Sequence, residues 1–90
     1  MPKFVIERTL PGVGQLSPEQ RRDIARTSCG VLADLGAGIQ WQHSYFTDDR
    51  IFCVYLAANE ALVREHALRG GFPVDAVRRV SAVVDPACAE

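Results

Sequence analysis

Runs of alternating or β-prone residues and runs of helical spacing follow one another along this chain. PGVG at 11–14, GAG at 36–38, TDD at 47–49 and GGFP at 70–73 separate them, and six elements fit between these breaks. Lys3 to Thr9 alternates around Phe4 and Ile6 and stops at Pro11 and Gly12, which predicts a first strand. Ser17, Pro18 and Gln20 combine an N-cap, a proline at the first helical position and the glutamine of a reciprocal capping box. Ile24, Ser28, Val31, Leu32 and Leu35 continue that helix at regular spacing, and Gly36 supplies the residue that ends it.

Ile39 to Phe46 and Ile51 to Leu56 are rich in aromatic and β-branched residues around Asp48 and Asp49, the pattern of a hairpin. If Thr47 faces Arg50, then Trp41, His43 and Tyr45 share a face with Leu56, Val54 and Phe52. Gln42, Ser44 and Phe46 then share the other with Tyr55, Cys53 and Ile51. A second helix, about Asn59 to Arg69, aligns Asn59, Leu62, Val63, His66 and Gly70 in one stripe. The chain returns through Val74 to Val77 into a last strand expected at Arg79 to Val84, closed by Pro86. The order βαββαβ with short connections predicts an α+β, ferredoxin-like fold: a four-stranded antiparallel sheet with two helices on one face. The helices cover one face only, yet the hairpin offers apolar or aromatic residues on both. A homodimer packed sheet to sheet is therefore expected.

Composition narrows the function. Ninety residues with ten Lys or Arg against eleven Asp or Glu carry a net charge of -1, which removes the basic footprint of a nucleic-acid binder. The length suits a single domain, residues 1–86, with 87–90 as a loose tail. Lys3, Glu7 and Arg8 interrupt the first ten residues, and no later run reaches the roughly 18 apolar residues of a membrane span, so a cytoplasmic protein without membrane contact is expected. Cys29, Cys53 and Cys88 are odd in number and widely spaced, which predicts unpaired thiols.

KFVIERTLPG at the start, HSYFTDDRIFCVYLA in the hairpin, VREHALRGGFPVDAV and the closing RVSAVVDP carry a resemblance over nearly the whole chain. Together they resemble a small actinobacterial family of ferredoxin-like dimers that includes the nickel-responsive, nickel-binding protein of Streptomyces. The resemblance implies nickel as the bound metal, held for sequestration or homeostasis.

The residues offer candidates of their own. Nickel(II) is served by imidazole, with carboxylate or water completing the shell, and the chain has two imidazoles, His43 and His66. If the register above holds, both project into the layer between sheet and helix and can share one ion, which requires rings within about 8 Å of each other. The structural alternative is a neutral core imidazole held by one hydrogen bond. Glu7 on a central strand is either a carboxylate ligand or the partner of a basic side chain across the sheet. Cys53 is a soft ligand or a small core residue. Asp48 and Asp49 read more simply as turn formers, and Glu60, Arg64 and Glu65 as a solvated helix face. Trp41, His43, Tyr45 and His66 define an alternative: a pocket for a flat organic molecule, as in cofactor-independent enzymes of the dimeric α/β-barrel type, with Tyr55 joining only through a partner or a shifted register. No GxSxG elbow or nucleotide loop is present, which favours a non-enzymatic protein. A third possibility is an accessory module that dimerises and presents a surface.

Overall fold

The computed structural model describes residues 1–90. Strand β1 (Lys3–Thr9) leads through a 3-10 turn (Val13–Gln15) to helix α1 (Pro18–Leu35), and the hairpin β2 (Ile39–Phe46) and β3 (Arg50–Ala57) follows. Helix α2 (Glu60–Gly70), strand β4 (Ala76–Arg79) and a terminal 3-10 turn (Pro86–Ala89) complete the chain. The four strands form one sheet in the order β2-β3-β1-β4 with every pair antiparallel, the expected ferredoxin-like arrangement. No helix is long and apolar enough to cross a membrane.

The helix ends follow from local chemistry. Ser17 accepts from the Gln20 backbone while the Gln20 side chain accepts from the Ser17 N–H, so the capping box is reciprocal. Asn59 caps α2 at the Leu62 N–H, and Gly71, at φ 70, turns the chain back so that Phe72 N–H reaches the Ala67 carbonyl. Glu60 with Arg64 and Glu65 with Arg69 pair one turn apart on the exposed side of α2, as a solvated face requires.

Alternation along β1 and β3 sorts the core from the open side. Phe4 and Ile6 of β1 and Ile51, Cys53, Tyr55 and Ala57 of β3 are buried under the helices with Ile39 and Val63. Leu32 and Leu35 of α1 and Val77 of β4 pack against this cluster. Val5, Phe52, Val54 and Leu56 alternate onto the opposite face and remain half-buried there.

Two expectations change. The last strand runs over Ala76–Arg79, earlier and shorter than Arg79 to Val84. Its partner sets the limit: Glu7 faces Ala76, Phe4 faces Arg79, and Val80 N–H takes the Lys3 carbonyl, after which β1 has no residue left to pair. Val83 and Val84 are consequently exposed despite their β propensity. In the hairpin, Phe46, Tyr45, Ser44 and His43 pair with Ile51, Phe52, Cys53 and Val54 as expected, but Trp41 then faces Tyr55. Gln42 is the extra residue of a β-bulge, which reverses the side-chain phase and puts Trp41 on the covered face.

The first loop locks onto the hairpin tip. Leu10 and Gly14 N–H groups donate to the Asp49 and Asp48 carbonyls, and Asp49 Oδ1 accepts from Gly12 N–H at 2.9 Å. The two aspartates are turn residues. A Cβ at Gly14 would lie 2.8 Å from both the Thr47 carbonyl oxygen and Asp48 Cα, whereas one at Gly30, midway along α1, would meet nothing within 4 Å. Gly14→Ala is therefore expected to lower the unfolding free energy by about 1–3 kcal/mol. Gly30→Ala should raise it by about 0.5–1 kcal/mol. Denaturant titration of both variants checks the contrast, and a Gly14→Ala protein as stable as the wild type would show that the loop does not seat this closely.

Candidate functional site

The N-terminal half of α1 presents Arg21, Ile24, Ala25 and Ser28 to the sheet, whereas the larger Leu32 and Leu35 pack the C-terminal half against the core. Between that first half and the covered sheet face lies a cavity of about 470 Å³. Trp41, Phe46, Ile51, Cys53 and Tyr55 line its sheet side, and Phe72 and Pro73 its end. The volume falls within the range of small-molecule pockets. Trp41 Nε1–H donates to Ser44 Oγ at 3.0 Å, which holds the indole along the wall.

Arg8 is the unexpected member. It follows Phe4 and Ile6 on the covered face of β1, so strand alternation drives a guanidinium into the core, where it is 2% exposed. Its Nη1–H donates to the Pro73 carbonyl at 3.2 Å, and the guanidinium carbon lies 5.4 Å from the centre of the Phe72 ring. Nothing in the candidate set drawn from the sequence included Arg8. The signal was present in the Phe4–Ile6–Arg8 alternation, but a charged residue near a strand end reads first as solvent-exposed.

His66 sits one layer behind the cavity and is fully buried. Its Nε2 lies 3.0 Å from Ser28 Oγ, its ring stacks on Phe72 at 5.6 Å and tilts against Tyr55 at 5.1 Å, and Nδ1 has no hydrogen-bond partner. Burial first, and the Arg8 charge second, push its pKa below the ordinary histidine value, with a hydrogen bond to the Ser28 backbone opposing. The ring is neutral at pH 7. Burial also pushes the Tyr55 phenol up to about 12, Cys53 adding to the rise and Arg8 and Ser28 opposing it. The walls therefore hold a neutral phenol, serine hydroxyls and two cations without a carboxylate partner, Arg8 and Arg21.

The open face carries the other imidazole. His43 pairs with Val54 and is exposed, and its ring meets Tyr45 edge-on at 5.0 Å. Glu7, opposite Phe52 on the same face, is held by the Arg50 guanidinium, the cross-sheet pairing that a central carboxylate needs. The expected convergence of His43 and His66 does not occur: one ring lies on each side of the sheet, because the covered face is the one bearing Tyr55, Cys53 and Ile51. Cys53 packs in the core on the His66 side, while Glu7 lies on the His43 side. No three His, Cys, Asp or Glu side chains converge to hold a metal ion. The pocket likewise differs from the expected one, keeping Trp41 and Tyr55 and losing Tyr45, which is 60% exposed on the other face. Cys29 and Cys88 are exposed free thiols.

Comparison with known proteins places this geometry in context. The family model described as nickel responsive protein SCO4226-like matches residues 4–80. Among solved structures, SCO4226 from Streptomyces coelicolor A3(2) superposes with a TM-score of 0.76 at 14% sequence identity, over 91% of this chain and 99% of that one. At that identity the likeness concerns the fold. No curated protein matches the sequence significantly.

The sealed state of His66 has a measurable consequence. An unfolded histidine takes up a proton below about pH 6.5, whereas folded His66 resists it, so the unfolded chain binds more protons there. Its contribution to stability is complete above the unfolded pKa and is lost as pH falls toward the lower folded value. Unfolding free energies measured between about pH 7 and pH 5.5 should fall with a slope of at most about 1.4 kcal/mol per pH unit from this one group. His66→Gln should remove that component, and identical slopes in the two proteins would show that His66 titrates freely.

Proposed function

The chain belongs to the nickel responsive protein SCO4226-like family, and from that premise we propose that it is a nickel-binding homodimer that uses His43 as its imidazole ligand. The observation that carries this reading is the separation of the two histidines. His66 is sealed in the core with one nitrogen on Ser28, while His43 is exposed on the face that the helices leave uncovered. Coordination needs an accessible lone pair, and His43 alone offers one as an imidazole.

A single chain gathers no group of three His, Cys, Asp or Glu side chains that could hold the ion. Val5, Phe52, Val54 and Leu56 give the same face an apolar centre, and a second copy packed on it buries this surface on both chains at once. Such a dimer brings two His43 side chains to one interface, with carboxylates or water left to complete the shell. Copper(II) normally outranks nickel(II) at such ligands, so preference for nickel would come from geometry or supply. Reversible binding at an interface suits sequestration or homeostasis of the ion. A cytoplasmic location fits that role.

Calorimetric titration of tag-free protein with nickel(II) tests the reading. His43→Ala is expected to weaken binding by at least about tenfold, whereas His66→Gln should leave both affinity and stoichiometry unchanged. Undiminished binding by His43→Ala would move the site to carboxylates, and a wild type that binds no nickel would remove the metal reading.

A further inference from the structure

The chain forms three ion pairs, Arg50 with Glu7, Arg64 with Glu60 and Arg69 with Glu65, so no carboxylate of its own compensates Arg8. One of the five donors of that guanidinium is spent on Pro73, the Phe72 ring lies beside it, and the neighbouring Tyr55 phenol is neutral and offers no charge to offset it. Arginine does not discharge when buried. A cation at 2% exposure is tolerated only where something pairs with it or solvates it, and Arg8 opens onto the cavity. The cavity wall includes Arg21 as a second cation and no aspartate or glutamate. Its other surfaces are mostly apolar, with Ile24, Ala25, Trp41, Phe46 and Ile51 facing one another across it.

We propose that this cavity binds a small organic monocarboxylate, its apolar body between α1 and the sheet and its carboxylate on Arg8. A planar carboxylate matches the guanidinium fork, and the serine and phenol hydroxyls beside it are neutral donors. Ser28 Oγ lies 3.0 Å from His66 Nε2 and interacts with the Tyr55 phenol, so these neutral groups of the wall form one linked set. A phosphate dianion fits less well, because it calls for a cluster of free backbone N–H donors, and the Gly71 and Phe72 N–H groups of this wall are already bonded to the Leu68 and Ala67 carbonyls. The site lies on the opposite side of the sheet from His43, so it stands independently of the nickel reading.

Trp41, the one tryptophan of the chain, lies in the wall and reports occupancy. Tag-free protein in the presence of a chelator is titrated with octanoate and with its uncharged isostere octanamide, following Trp41 emission and heat. Octanoate is expected to saturate one site per chain and to bind at least about tenfold tighter than octanamide. Arg8→Met should abolish that preference, and Ala25→Phe, which fills the cavity from α1 without replacing the cation, should block both ligands. Circular dichroism establishes that each variant is folded; if Arg8→Met is not, the amide comparison and Ala25→Phe decide alone. Equal affinity for the two ligands, octanoate binding that survives Ala25→Phe, or no binding of octanoate at millimolar concentration would each overturn the proposal.

Discussion

Successive side chains on a strand point to opposite faces, and two helices packed on one side of a four-stranded sheet leave the other side bare. Each strand of this protein therefore divides its chemistry in two. On β1, Phe4, Ile6 and Arg8 go under the helices while Val5 and Glu7 go to the open face; on β3, Ile51, Cys53 and Tyr55 part from Phe52 and Val54 in the same way. A one-residue change in phase exchanges these sets completely. The single bulge at Gln42 uses that property locally, moving Trp41 to the covered face while His43 and Tyr45 stay on the open one.

The covered face is imperfectly filled by design of its sequence. Val63 of α2 and Ile6 of β1 are fully buried between helix and sheet, and Leu32 and Leu35 close the C-terminal half of α1 over the core. Further toward the N-terminus the same helix offers the small side chains of Ala25 and Ser28, and the cavity lies between them and the sheet. Arg8 reaches this space from β1, and Phe72 and Pro73 of the turn after α2 meet its guanidinium. Its positive charge extends to His66 behind the wall, where it joins burial in keeping the ring neutral.

Much of this was legible in the residues alone. Strands β1 and β2 and both helix starts follow directly from Ser17, Asn59 and the alternation of Phe4 and Ile6. What local reading could not supply depended on partners. The extent of β4 is set by where β1 ends, not by the β propensity of Val83 and Val84. Neither aromatic nor β-branched content announces a bulge, so Trp41 was assigned to the face of His43 when it belongs with Tyr55. The same tertiary information decides the two histidines: both fall beside apolar neighbours in sequence, and only the pairing of β2 with β3 shows that the sheet separates them. Arg8 illustrates the opposite failure, since its alternation was visible and its charge obscured what alternation implied.

The open face links these features to assembly. Val5, Phe52, Val54 and Leu56 are half-buried in one chain, and the proposed dimer joins their surface to its own copy with His43 nearby. Sedimentation velocity of the tag-free protein at micromolar concentration, wild type beside Val54→Lys, tests that arrangement most directly. The wild type should sediment at the mass of a dimer, and Val54→Lys at that of a monomer with its circular dichroism unchanged; a monomeric wild type would contradict the dimer and leave the apolar face without its proposed partner.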